Sequence, residues 1–173
     1  MTIQEIFMPM KTHYTQRLTL RPLEKRDIPY LAEMDSDQEV TKYIRPAITY
    51  DEAIVDSSRY FKMKAPKGGG IWAMESTCDN RFLGWIILIY LDDTKEMELG
   101  YRMLAGAWGE GYATEAAKCI ASYALNELRI NKLVAVTHPD NKASWNVLEN
   151  VGFEHHGKKR AYDFDCEYFV LKA

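Results

Sequence analysis

The sequence predicts an α/β domain built on one mixed, mostly antiparallel sheet, and three observations carry that prediction. Residues 96–103 read as a strand, a helical stretch follows from Tyr112, and Lys132–Thr137 is a short strand of Leu, Val and Ala. Strand, helix and strand in that order make a βαβ unit, whose two strands are parallel and joined right-handedly. Phe82–Tyr90 is an almost unbroken apolar run, the pattern of a strand buried on both faces. Near the end, residues 154–162 and 167–172 pair as closing antiparallel strands.

The other elements follow in chain order. Residues 1–14 lack clear periodicity and are set apart as an N-terminal extension from a single domain over 15–173. Residues 15–23 alternate Leu18 and Leu20 with polar partners, a half-buried strand stopped by Pro22. A short helix is expected over 24–34, and a helical turn over 37–43 with Asp37 as its cap. Thr49-Tyr-Asp-Glu52 is a capping box that opens a helix to Lys64, and Pro66 with Gly68–Gly70 ends it. A strand at 71–75 and turns at 78–80 and 92–94 frame the long apolar strand. In the crossover helix Ala113, Ala116, Ala117, Ile120, Ala124 and Leu128 share one face, small enough to lie close on the sheet. A turn at 138–141 leads to a helix over Lys142–Val151, stopped by Gly152.

Composition excludes several classes. A chain of 173 residues, 47% apolar and 27% charged, is an ordinary soluble globular domain with room for a core. A net charge of −3 lacks the basic footprint of a nucleic-acid binder. Three widely spaced cysteines form neither a disulfide framework nor a zinc pattern, which fits a reducing compartment and no metal. The first residues carry an early Glu5 and no long apolar run, so no signal peptide is expected. Residues 82–91 are too few to span a bilayer. The expectation is a cytoplasmic protein with no nucleic-acid or membrane partner.

The stretch Leu99-Gly-Tyr-Arg-Met-Leu-Ala-Gly-Ala-Trp-Gly-Glu-Gly-Tyr-Ala-Thr-Glu-Ala-Ala117 carries the strongest chemical signal. Gly109 and Gly111 leave the backbone bare, and the helix after them points its free N–H groups back at the turn, which makes an anion site. Gly106 and Gly111 have P-loop spacing, but Tyr112 and Ala113 stand where Lys and Ser or Thr are needed. Counted from Gly109, Thr114 stands where the dinucleotide fingerprint needs a third small residue, and Asn131 where it needs an acid. What remains is a pyrophosphate held by backbone amides without metal.

Three motifs in order then resemble one family. Gln16-Arg-Leu-Thr-Leu-Arg-Pro-Leu23, the glycine turn with Glu98-Leu-Gly-Tyr101 before it, and Asn141-Lys-Ala-Ser-Trp-Asn-Val-Leu-Glu-Asn-Val-Gly-Phe153 are similar to GNAT acetyltransferases, most of all to the branch of ribosomal-protein N-terminal acetyltransferases. The resemblance implies the GNAT fold, with about six to seven strands and flanking helices, and acetyl-CoA as co-substrate. It implies that the amides of Trp108, Gly109, Glu110, Gly111, Tyr112, Ala113 and Thr114 hold the coenzyme A pyrophosphate, with Trp108 replacing the usual Gln or Arg and Glu110 turned outward. It further implies that the strands on either side of the crossover helix splay apart. Pantetheine would lie in the gap against the backbone of Tyr101, Arg102 and Met103, and Asn141 and Ser144 would reach the coenzyme. A homodimer is a family habit.

Acetyl transfer to an amine needs a base, a polarised carbonyl and a proton for the departing thiolate. Glu98, ahead of the turn, is the candidate base; its competing reading is a solvent-facing carboxylate paired with Arg or Lys. Asn141 caps the last helix whether or not it also binds the coenzyme. Many members of the family carry a tyrosine seven residues after that Asn, and here the place is Leu148. Ser144 is the candidate to serve the thiolate instead, against the reading of a serine bonded to its own backbone. Tyr162, Asp163 and Tyr168 are expected near the acceptor, and His138 as a loop residue beside the coenzyme turn. The acceptor pocket is assigned to 35–64 and 158–166, where the mixed charges favour no single acceptor. A protein N-terminus and a small amine both stay open. An acyl-CoA sensor without turnover, favoured by Leu148, and a structural protein are the alternatives.

Overall fold

In the computed structural model, which describes residues 9–173, one eight-stranded sheet runs through the molecule. Its strands are β1 (His13–Tyr14), β2 (Leu18–Pro22), β3 (Gly70–Ser76), β4 (Phe82–Tyr90), β5 (Met97–Met103), β6 (Lys132–Thr137), β7 (Glu154–Ala161) and β8 (Phe164–Lys172), in the spatial order β1-β2-β3-β4-β5-β6-β8-β7. Every neighbouring pair is antiparallel except β5 and β6, the parallel pair of the expected βαβ unit. The eighth strand is β1: His13 and Tyr14 pair with Leu20 and Thr19, where the sequence reading had placed a loose extension. A two-residue strand is below the length at which periodicity shows. Residues 1–8 of that extension lie outside the described residues.

The helices are α1 (Ile28–Ser36), α2 (Gln38–Thr41), α3 (Tyr50–Asp56), α4 (Tyr112–Ser122) and α5 (Lys142–Val151). Pro29 sits in the first turn of α1, so the residues before it form a separate 3₁₀ turn (Lys25–Asp27) in place of one continuous helix. Asp37 caps α2 through the amide of Glu39 (2.8 Å). The Thr49/Glu52 capping box opens α3 as expected, but α-helix stops at Asp56 rather than running to Lys64. There Ser57 Oγ donates to the Ile54 carbonyl (2.6 Å) and the chain tightens into a 3₁₀ turn over Ser57–Lys62.

Both faces of the sheet are covered. On β4, Trp85, Ile87 and Ile89 turn toward α1 and the 57–62 turn, where Leu31, Met34 and Tyr60 meet them. Ile86 and Leu88 turn the other way and pack with Leu99, Ala116, Ala117 and Ile120 under α4. Burial on both sides is why β4 shows no polar alternation. The small side chains of Ala116 and Ala117, both fully buried, bring α4 close to β5. None of the helices among the described residues is long and apolar enough to cross a membrane.

Candidate active site

The glycine turn is an open, anchored concavity. Gly109 and Gly111 have φ of +79° and +80°, left-handed backbone that a side chain would strain. Gly111 is the N-cap of α4 and supplies no side-chain cap, so the first amides of Tyr112, Ala113 and Thr114 face a bare turn. A Cβ built on Gly109 meets nothing within 4 Å, which leaves room for a ligand against the backbone. The Trp108 indole N–H donates to the Met103 carbonyl (3.1 Å), tying the turn to the end of β5. From the other side Arg17 donates to the Glu110 carbonyl (2.9 Å) and to Glu115 (2.7 Å), with its guanidinium over the Tyr112 ring. Glu115 also accepts from Thr15 Oγ1 (2.6 Å) and the Arg17 amide (2.9 Å), so one carboxylate in the first turn of α4 joins it to the start of β2. The Glu110 side chain is exposed.

Beyond this turn the sheet opens. β5 pairs with β6 at only two positions, Met97 with Leu133 and Glu98 with Val134. Past Glu98 the two strands separate, and β5 keeps its partner β4 through Met103 while its other edge is unpaired with β6. A cavity of about 560 Å³ occupies this splay, and Glu98, Tyr101, Arg102, Asn141, Ser144 and Tyr162 are among the residues that line it.

Glu98 stands at the apex of the splay. It is 5% exposed, which rules out the solvent-facing reading, and among the described residues its hydrogen-bond partner is the Tyr162 hydroxyl, which donates to it. Burial pushes its carboxyl up to about 7; the Tyr162 hydrogen bond pulls the other way, and the nearby Asp92 adds to the rise. Tyr162 reaches it from the β7–β8 turn, where Tyr162 and Asp163 both adopt positive φ (51° and 67°) and the Tyr162 amide donates to Asp92 (3.0 Å). Asp163 and Tyr168, expected nearby, do not line the cavity: Tyr168 donates to Glu96 (2.7 Å) instead.

On the opposite wall, Asn141 Oδ1 accepts from the Ser144 amide (3.2 Å) and caps α5. Ser144 Oγ lies 2.9 Å from the Tyr101 hydroxyl, so the serine pairs across the splay and not with its own backbone. Burial pushes Tyr101 up to about 12, which keeps it protonated. Leu148, in the position of the missing tyrosine, is 1% exposed and packs in the core. His138 lines the cavity mouth and stacks on Tyr43 (ring centroids 5.2 Å).

A charge cluster that sequence reading did not find closes the far end. Asp35, fully buried at the end of α1, accepts from Arg59 (2.5 Å), Arg102 (2.7 Å) and the Tyr60 hydroxyl (3.0 Å), with Arg45 at 3.4 Å. Asp56 pairs with Arg45 (3.2 Å) and Arg59 (2.7 Å). The signal for Arg102 was present in the alternation of β5, which puts Glu98, Gly100 and Arg102 on one face. Nothing local marks Asp35 or Arg59 as its partners.

The comparisons with known proteins decide the family. The model of the "Acetyltransferase (GNAT) domain" matches residues 17–154. The chain belongs to this family. It is similar to an uncharacterized N-acetyltransferase, p20, of Bacillus licheniformis, at 29% identity over 89% of this chain and 88% of that protein. It is 31% identical, over 83% of its length and 65% of the relative's, to the FsC-acetyl coenzyme A-N(2)-transacetylase of Aspergillus fumigatus. Its fold is that of spermidine N-acetyltransferase from Vibrio cholerae, solved with CoA and spermine, with a TM-score of 0.73 at 17% identity over 91% of this chain and 96% of that one.

The protein is therefore an N-acetyltransferase with acetyl-CoA as co-substrate. Among the described residues no group of His, Cys, Asp and Glu is arranged to hold a metal ion. The residues present fit the coenzyme: a bare-amide turn at a helix N-terminus suits its pyrophosphate, and the unpaired edge of β5 suits an amide-bearing chain.

Proposed function

We propose that this acetyltransferase moves the acetyl group directly from acetyl-CoA to a primary amine, both held at once in the splay between β5 and β6, with Glu98 as base. The observation that carries this reading is the buried Glu98 at the apex of the splay. Its carboxyl is raised to about 7, where a base for an ammonium group is best poised. The amides from Trp108 to Thr114 take the pyrophosphate, and the backbone of Tyr101 and Arg102 takes the pantetheine, as an added strand would pair.

The steps follow from the positions. Glu98, through a water molecule, removes a proton from the incoming ammonium. The freed amine attacks the thioester carbonyl, and as the carbon–sulfur bond of the tetrahedral intermediate breaks, the nitrogen sheds its second proton to solvent and the departing thiolate takes one up. The Tyr101 hydroxyl lies 3.2 Å from the Ser144 carbonyl, to which it can donate, and 2.9 Å from Ser144 Oγ, a contact in which either hydroxyl can donate, so the pair can hand one proton to the departing sulfur and take its replacement from solvent. The serine and tyrosine thus replace the tyrosine that Leu148 displaces. Holding both substrates in one cavity supplies much of the acceleration.

Leu148 also favours a second reading, a sensor that binds acetyl-CoA and releases no thiol. Thiol release from acetyl-CoA, followed with amines of varied charge and with short peptides across pH 5.5–9 on the order of half-unit steps, separates the two. Wild-type kcat/KM is expected to rise with pH through a limb near 7 that the Glu98→Gln variant lacks. Tight acetyl-CoA binding with no amine-dependent thiol release would establish the sensor.

A further inference from the structure

Inside the cavity the charges are sorted by end. Asp92, Asp93 and Glu98 stand at one end, Arg59 and Arg102 at the other, with the exposed Lys64 beside the acidic end, where its carbonyl accepts from the Tyr90 amide (3.2 Å). Between them Trp85, Ile87 and Ile89 form an apolar wall. Strand β5 sets the separation: Glu98, Gly100 and Arg102 share one face, and four residues of strand put about 13 Å between the outer two Cα atoms. Gly100 leaves the floor between them bare, since a Cβ there would lie 3.0 Å from Ile87 Cδ1.

The cationic end is built for more than holding α1 to β5. The Arg102 side chain is 11% exposed and uses only Nη1, toward Asp35 (2.7 Å) and the Tyr60 hydroxyl (3.3 Å). Among the described residues its Nε and Nη2 have no hydrogen-bond partner, and Nε is fully buried. A nitrogen with no accessible surface is out of a ligand's reach, so Nη2 is the donor that Arg102 offers to the cavity. Arg59, which uses Nε and Nη2 on Asp56 and Asp35, stands beside it. Three guanidiniums, of Arg45, Arg59 and Arg102, face two carboxylates, of Asp35 and Asp56, so the cluster carries one uncompensated positive charge.

We infer that the acceptor is a small amine bearing a carboxylate at the far end of a short apolar spacer, the carboxylate seated on Nη2 of Arg102 beside Arg59 and the amine at Glu98. This rests on the acetyl-transfer reading above and names its substrate class. One excess charge matches a monoanion, whereas the second ammonium of a polyamine would face three guanidiniums.

The test is thiol release from acetyl-CoA with length-matched acceptors: ω-amino carboxylates from β-alanine to 8-aminooctanoate, n-alkylamines, α,ω-diamines, ω-aminoalkyl phosphonates, and a short peptide with a free N-terminus. The best amino carboxylate is expected to exceed the alkylamine of equal length by about tenfold or more in kcat/KM, with the diamine lowest. Arg102→Gln should bring that ratio close to one, and Arg102→Lys, which keeps the charge but not the position of Nη2, should keep part of it. Because Arg102 also joins α1 to β5, Arg59→Gln at the more exposed edge is a second measure, expected to lower the ratio severalfold. The inference is overturned if alkylamines or diamines match the amino carboxylates, if phosphonates or the peptide are preferred, or if both Gln variants keep the wild-type ratio. Each of those results leaves acetyl transfer standing; no thiol release with any amine overturns both.

Discussion

The two sides of the splay are made of different material. On the proposed donor side the contacts offered are backbone amides, set by two left-handed glycines and the start of one helix, and side chains such as Arg17 and Trp108 hold that backbone in place. On the proposed acceptor side the contacts offered are side chains, brought from the 57–62 turn, β4, β5 and the β7–β8 turn. Backbone recognition depends on conformation, so it tolerates sequence change wherever the glycines persist. Side-chain recognition changes with each substitution. One scaffold can therefore keep its donor while its acceptor varies, and variants on the two sides should fail in different kinetic parameters.

The largest separation is expected at Glu98. Glu98→Gln should lower kcat by about 100-fold with little change in KM for acetyl-CoA, read from initial rates at saturating amine. The same variant reports on folding. A carboxyl raised from 4.5 to about 7 favours the folded state below the ordinary carboxylate range, and that contribution is lost as pH rises through 7. At pH 8 Glu98→Gln should therefore gain stability over wild type, by about 3 kcal/mol at most, in urea titrations at the two ends of the range. A variant that gained nothing at high pH would mean that Glu98 is solvated, and the comparison would lose its acceptor pole.

Next in size is the proton path. Tyr101→Phe and Ser144→Ala should each lower kcat about tenfold, and the double variant should cost no more than either alone, because the two hydroxyls act as one unit. Independent, multiplying effects would show that they do not. On the donor side, Gly111→Ala should raise KM for acetyl-CoA about tenfold and cost about 1 kcal/mol of stability, with kcat at saturation retained. A loss confined to kcat would break the division of labour between the two sides. The smallest effect belongs to Tyr162→Phe. Its hydroxyl favours the charged form of Glu98, so removing it should move the acid limb of the pH–rate profile upward by about one unit and leave the plateau rate nearly unchanged.

That same division explains what could be read from the residues in order. The strand Phe82–Tyr90, the helix Lys142–Val151 and the glycine turn are local: each is written in a contiguous pattern of apolar runs, caps or glycines, and each lies where the pattern puts it. Asn141 and Ser144 were legible as a helix start, but the partner of Ser144, Tyr101, is 43 positions away and comes from the strand across the splay. Asp35 joins Arg59 and Arg102 over separations of 24 and 67 positions, and no periodicity records such a meeting. The carboxylate that accepts from Tyr162 lies 64 positions earlier in the chain, and burial, which sets its chemistry, is a property of the assembled sheet.

The two-position contact between β5 and β6 has a mechanical consequence. A sheet joined at its middle by so few rungs is a pair of wings, β1–β5 and β6–β8, held at one point and buttressed by α4 and α5. A chain threaded into the open angle and bonded along the free edge of β5 supplies rungs that the polypeptide lacks. If the pantetheine lies there as proposed, the co-substrate is a structural member for as long as it is bound, and release of the spent coenzyme withdraws a strut from the sheet.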